Sequence, residues 1–95
     1  MKYKIFSRQS IYGPAKIEEV TGYPAAKPFF VAKKDKYWGV YEEKSGLKVG
    51  GINKTKAEAI EQADKILNTV KPETLEQAIE IGIKDREEFE KSLEE

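Results

Sequence analysis

Apolar residues recur along this chain with two different periods, and the point where one gives way to the other divides it. Residues 1–7 (M-K-Y-K-I-F-S) set Lys2 and Lys4 against Tyr3 and Ile5, the two-residue period of a half-buried strand. Phe6 breaks the alternation, so both faces of that strand should be partly covered. Residues 8–13 read as a polar connection, and Gly13-Pro14 as a turn or an element start. Residues 15–20 (A-K-I-E-E-V) fit a two-turn helix framed by Pro14 and Gly22, or a short second strand followed by the turn Thr21-Gly22-Tyr23-Pro24. Six residues make a poor helix unless packing holds them, which tips the reading toward the strand. Two prolines within residues 23–28 argue against a central strand there and predict a loop or an extended edge.

A hairpin follows. Residues 29–33 (F-F-V-A-K) predict a strand, Lys34-Asp35-Lys36 a tight turn, and residues 37–42 (Y-W-G-V-Y-E) the antiparallel return. Alternation places Trp38, Val40 and Glu42 on one face and Tyr37, Gly39 and Tyr41 on the other. Lys44-Ser45-Gly46 is the next turn, with Gly46 suited to positive φ. Residues 47–52 (L-K-V-G-G-I) close the sheet with Leu47 and Val49 inward, and Gly50-Gly51 predicts a bulge or a close approach by the next helix.

The period then lengthens to that of a helix. Thr55 and Glu58 have capping-box spacing, and Ala59, Ile60, Ala63, Ile66, Leu67 and Val70 form one stripe over residues 55–70 that should lie on the sheet. Pro72 ends that run or opens the next. Residues 73–81 predict a second helix through Leu75, Ala78 and Ile79, with Gly82 as a left-handed cap and Ile83 packing back on it. Asp85 with Glu88 is a second capping-box pair, predicting a short acidic helix held on a neighbour by Phe89 and Leu93. The expectation is one α+β domain over residues 1–95. An antiparallel sheet of three or four strands in residues 1–52 is packed by one amphipathic helix (55–70), followed by one or two short helices in 72–95.

Composition narrows the chemistry. The net charge of zero hides an asymmetry: residues 1–56 hold twelve Lys/Arg against five Asp/Glu, a surplus of seven, and residues 57–95 hold the reverse. The sheet half is basic and the helical half acidic. With no cysteine there is no disulfide, thiolate metal site or cysteine nucleophile, which fits a reducing compartment. With no histidine the usual general base near neutral pH is missing. No apolar run approaches a membrane span and the amino terminus lacks an apolar signal core, so the expected location is cytoplasmic.

Catalytic patterns are weak throughout. Glu18-Glu19 and Glu42-Glu43 are adjacent carboxylates, but strand neighbours point to opposite faces and make no acid/base dyad. Ser7, Ser10, Ser45 and Ser92 have no histidine to activate them. Gly50-Gly51 lacks the remainder of a phosphate-binding glycine motif, and Asp85, Glu87 and Glu88 lack calcium-loop spacing. The expectation is a protein that is not an enzyme, with no cofactor and no metal.

Binding is what remains. The acidic face of Glu80, Glu87, Glu88, Glu90, Glu94 and Glu95 suits a basic protein partner, in the manner of an adaptor or a phage-encoded modulator of a host protein. An exposed sheet edge would allow a homodimer. The alternative is nucleic acid, read from Lys34, Lys36, Tyr37, Lys48, Lys54 and Lys56, where basic side chains interleaved with aromatics could track phosphates and stack bases. Against it stand a pI near 6.4 and helices that would repel a polyanion, and Trp38 reads as core beneath the helix.

The run from W-G-V-Y-E-E-K-S-G-L-K-V-G-G to T-K-A-E-A-I-E-Q-A-D-K-I-L, residues 37–67, resembles a strand-strand-helix module of small bacterial and phage proteins. That resemblance implies the local fold and carries no activity. The same region is similar to the end of the double-stranded RNA-binding domain, where lysines at a helix start contact phosphate, a position near Lys54 and Lys56. Ala57 and Ile60 stand where that family has further lysines, and this chain opens with a strand instead of the family's first helix.

Overall fold

A computed structural model describes residues 1–8, 11 and 13–94; Ser10 and Glu95 lie outside them. Among the described residues there are five strands and two helices: β1 (Lys2–Ser7), β2 (Lys16–Pro24), β3 (Phe29–Lys34), β4 (Tyr37–Glu42), β5 (Lys48–Asn53), α1 (Lys56–Thr69) and α2 (Pro72–Leu93). The strands form one antiparallel sheet in chain order. The α+β class is as expected, with one strand more than the upper expectation.

The additional strand length lies in β2. Residues 16–21 pair with β1, and Gly22, Tyr23 and Pro24 go on to pair with Ala32, Val31 and Phe30 of β3. Thr21-Gly22-Tyr23-Pro24 is therefore strand, not the expected turn, and β2 is a central strand. Pro24 is tolerated because of backbone parity. Gly22 donates its N–H to the Met1 carbonyl at 2.9 Å, so two residues on the proline nitrogen faces the same side, where β1 has already ended.

Strand β3 is buried on both faces and organises two cores. Phe29 and Val31 join Val40, Ala59 and Ala63 beneath α1, with Trp38, Val49, Ile60, Ile66 and Leu67 packed around them. Phe30 and Ala32 point the other way, into a curl of the sheet, with Ile5 and Tyr41. There Tyr3 stacks on Phe30 at 4.1 Å between ring centroids. The curl is pinned where the Phe6 N–H donates to the Gly46 carbonyl at 2.7 Å. Gly46 has φ of 73°, and a β-carbon there would come within 2.7 Å of the Lys4 carbonyl oxygen. Only glycine serves both the turn and the contact.

Helix α1 begins as its sequence specifies. The Thr55 hydroxyl accepts the Glu58 N–H at 3.2 Å, and the Glu58 carboxylate reaches back to the Lys54 N–H at 3.3 Å. Ala59 and Ala63 are fully buried, which lets the helix axis sit close to the sheet. The glycine pair plays both expected parts. Val40 opposes Val49 while Gly39 opposes Ile52, so Gly50 and Gly51 are extra residues in a bulge. Over them lies Gln62 of α1, whose amide exchanges bonds of 3.1 and 3.3 Å with the Gly51 backbone.

Helix α2 corrects the expected C-terminal part. Of the one or two short helices expected there is one, and it is long: a continuous helix of 22 residues that runs through Gly82 and Asp85. Gly82 is not a cap. It is the one buried residue of α2, and a β-carbon there would lie 2.8 Å from both Leu47 and Ser45. Asp85 is likewise no N-cap and instead meets Arg8 at 2.6 Å. Of the two expected anchors, Phe89 packs on Phe6 with centroids 5.5 Å apart, but Leu93 is 68% exposed. Among the described residues no helix is long and apolar enough to cross a membrane.

Candidate functional site

The outer edge of β5 carries backbone groups without a partner among the described residues. Which of its backbone groups are committed follows from hydrogen-bond parity. The Glu42 N–H donates to the Leu47 carbonyl at 3.0 Å, so Glu42 and Leu47 face each other; two residues along, Val40 and Val49 do the same. Lys48 therefore turns its N–H and C=O away from β4. Past the bulge Asn53 opposes Trp38, which turns Ile52 outward in the same way. The end of β1 lies beside this edge, but beyond the Phe6–Gly46 bond no further backbone hydrogen bond joins it to β5 among the described residues.

Two grooves flank the edge. One, of about 480 Å³, opens into the curl and is lined by Ile5, Tyr37, Tyr41, Lys48 and Ile52 among others. The second, of about 460 Å³, runs between β5 and α2, with Val49, Leu75, Ala78, Ile79 and Ile81 supplying an apolar lining. Arg8, Leu47 and Lys48 belong to both. Ile52 and Ile81 are 60% and 58% exposed, large apolar side chains left uncovered on either side of one strand edge.

The turn before β5 is held firmly. The Glu42 side chain, expected on the α1 face, is fully buried, and its carboxylate accepts the N–H groups of Lys44 at 2.6 Å and Ser45 at 2.8 Å. Arg86 of α2 donates to the Lys44 carbonyl at 3.2 Å, tying the helix to the same turn. A firmly held turn and an open edge are the makings of a preformed site.

Charge around the grooves is mostly positive. Arg8 reaches Asp85 but stays half exposed, and Lys48 is exposed and makes no ion pair among the described residues. On the wall of the curl groove, Lys34 meets Glu18 at 3.3 Å, and Lys16 bonds the same carboxylate. The bond from Lys16, supported by Lys34, holds Glu18 below the usual carboxylate range, and Glu18 in turn raises Lys16. Burial, reinforced by the charges of Glu18 and Asp35, pushes the Tyr41 phenol above its ordinary value. No three carboxylates among the described residues gather as metal ligands would.

The residues expected to bind nucleic acid fall on different surfaces. Lys34 and Tyr37 are cross-strand partners and line the curl groove with Lys48. Lys36 is in the β3–β4 turn. Lys54 and Lys56 lie at the start of α1, where the Lys56 ammonium sits 3.6 Å over the Tyr23 ring, itself 6.0 Å from Trp38. Trp38 is half-buried against the α1 core, as expected. Of the expected protein-binding carboxylates, Glu80, Glu87, Glu90 and Glu94 share roughly a quarter of the α2 circumference at ~100° per residue, with Glu88 set off to one side. Glu90 also accepts from Arg86 at 2.8 Å.

Sequence reasoning expected an exposed sheet edge without assigning it to β5, and passed over Arg8 and Ile81. Arg8 stood in a connection with no pattern. Ile81 did carry a signal, as an isoleucine off the apolar stripe of its own helix. Family models, curated proteins and solved structures were each compared with this chain, and none gives a match.

Proposed function

We propose that this chain is a non-catalytic module that binds a protein partner, an adaptor or inhibitor of the kind a phage or mobile element directs at a host protein. The observation that carries the reading is the apolar groove between β5 and α2, with Ile81 exposed on its wall. An uncovered apolar surface on a small charged domain marks an interaction site more often than chance. The acidic stripe of α2, on the side of the helix turned away from this groove, would speed encounter with a basic partner more than it would add affinity. The test is affinity capture from cell lysate, split into nuclease-treated and untreated halves, using the wild-type protein and Ile81→Asp. One protein retained in both halves and lost with Ile81→Asp is the expected result. Retention unchanged by the substitution would clear this groove.

A second reading has its own observation, the Lys56 ammonium on Tyr23 beside Trp38 at the start of α1. Basic and aromatic side chains together are what single-stranded nucleic acid uses. Under this reading, charge reversal of Lys54 and Lys56 abolishes polyanion binding and nuclease treatment empties the capture. Unchanged polyanion binding would sink it.

A further inference from the structure

We infer that the β5 edge is a receiving slot for an extended segment of a partner protein, which adds to the sheet as a sixth strand beside β5. This rests on the protein-binding reading above and specifies how the partner enters. Lys48 and Ile52 each turn an N–H and a C=O outward with no described backbone partner, the groups a strand needs to pair with an edge. An added strand sends successive side chains to opposite faces. On one face they meet the curl groove at Tyr37, Tyr41 and Ile52, and on the other the α2 groove at Val49, Leu75 and Ile81. The α2 groove is lined chiefly by apolar side chains and the curl groove by apolar and charged ones together, so an inserted strand meets a side-chain surface on each face.

Charge selects the occupant. Lys48, exposed and without an ion pair among the described residues, lines both grooves beside Arg8, whose charge Asp85 already meets, so the segment carries a carboxylate at Lys48 between alternating apolar residues. A second copy of β5 does not fit this description. Its sequence, K-V-G-G-I-N, has no carboxylate and puts two glycines where the slot offers apolar walls. The Gly50–Gly51 bulge also limits the pairing to short stretches on either side of it, so the side-chain grooves supply much of the recognition.

The experiment selects short random peptides displayed on phage against the wild-type protein, then measures the enriched peptides on Lys48→Pro, Lys48→Glu and Ile81→Asp. Lys48→Pro removes an outward N–H that β4 does not use, so the ladder survives while the edge loses a donor. Enriched peptides should alternate apolar residues around an acidic one and slow hydrogen exchange at the Lys48 and Ile52 amides of the wild-type protein. They should bind Lys48→Pro roughly tenfold more weakly, the equivalent of one hydrogen bond. Lys48→Glu keeps the backbone intact and should weaken them severalfold, so the test stands even if the proline variant does not fold. Several outcomes would overturn the slot: no enrichment, peptides with helical spacing, or binding that leaves both amides unprotected. A concentration-dependent dimer that protects the same two amides would replace the partner by a second copy. If lysate capture is lost with Ile81→Asp but kept with both Lys48 variants, strand addition fails while the partner reading stands.

Discussion

Helices α1 and α2 both carry an apolar stripe, yet they meet the sheet on different terms. Helix α1 lies flat across β3, β4 and β5 and presents alanines, Ala59 and Ala63, where the contact is closest. Helix α2 touches at separated points: Leu75 at the edge of the α1 core, Gly82 on Ser45 and Leu47, Arg86 on the Lys44 carbonyl, and Phe89 on Phe6. Between those points it leaves a groove, and Ile81 and Leu93 stay exposed. A helix that fills its seat stabilises the fold. A helix held at points leaves surface over, and that surface is where a partner fits.

The largest expected effect tests the filled seat. Phe29 is fully buried at the centre of the α1 core, and Phe29→Ala should cost about 3–5 kcal/mol. Against a total of about 5–14 kcal/mol for a domain of this length, that loss should be visible as a large fall in the urea midpoint. Unfolding should stay cooperative, with every strand and α1 lost together. If α1 amides exchanged freely while the sheet remained intact, the helix would be an accessory and the contrast with α2 would disappear.

Gly82→Ala tests the other helix. An exposed mid-helix glycine replaced by alanine gains about 1 kcal/mol of helix propensity. Here the new β-carbon would stand 2.8 Å from the Ser45 β-carbon and the Leu47 side chain. Leu47 can swing aside, but Ser45 is buried and its hydroxyl accepts the Leu47 N–H at 3.2 Å. The expected net effect is a loss of about 1–2 kcal/mol, felt first in α2. Native-state hydrogen exchange should show α2 amides opening at lower free energy while those of α1 hold. A stabilised protein would mean that α2 rides loosely over the turn.

The same contrast explains which parts of the fold were legible from sequence. Helix α1 was readable because its determinants are local: Thr55 and Glu58 three residues apart, then a stripe that needs only a flat apolar face to lie on. The β3–β4 hairpin was readable for the same reason, with Trp38 and Val40 on one face and Tyr41 on the other. Gly82 misled because glycine followed by isoleucine matches a helix end. What keeps it helical is contact with Ser45 and Leu47, about 35 residues away in the chain, and no local pattern encodes that. Pro24 misled likewise, since its tolerance depends on where β1 stops. The candidate site was the least legible feature, because an edge becomes an edge only when the whole strand order is known.

Thr55→Ala is the next smaller effect and bears on why α1 forms where it does. Losing the hydroxyl leaves the Glu58 N–H without its acceptor, at a cost of about 1 kcal/mol. The first turn of α1 should fray in exchange experiments, and Thr55→Asp should restore it. Equal stability of all three proteins would show that packing on β3 and β4 alone sets the start of the helix.

The smallest effect is a pH dependence in the curl groove, across the β5 edge from the groove that α2 leaves open. Burial raises the Tyr41 phenol above its ordinary value, and the neighbouring charges of Glu18 and Asp35 act in the same direction. For an acid with a raised folded-state pKa, the stabilising contribution is complete below the unfolded pKa near 10. It is lost as pH rises through the folded value, because the unfolded chain ionises first. Stability should therefore decline on the alkaline side, and Tyr41→Phe should flatten that decline. Ultraviolet titration should show a late-ionising component for Tyr41, and that component should vanish in Tyr41→Phe. A strand seated against β5 would shield the phenol further, so a slot-binding peptide should move the late component to higher pH. A peptide that binds tightly and leaves that component where it was would be occupying some surface other than the curl groove.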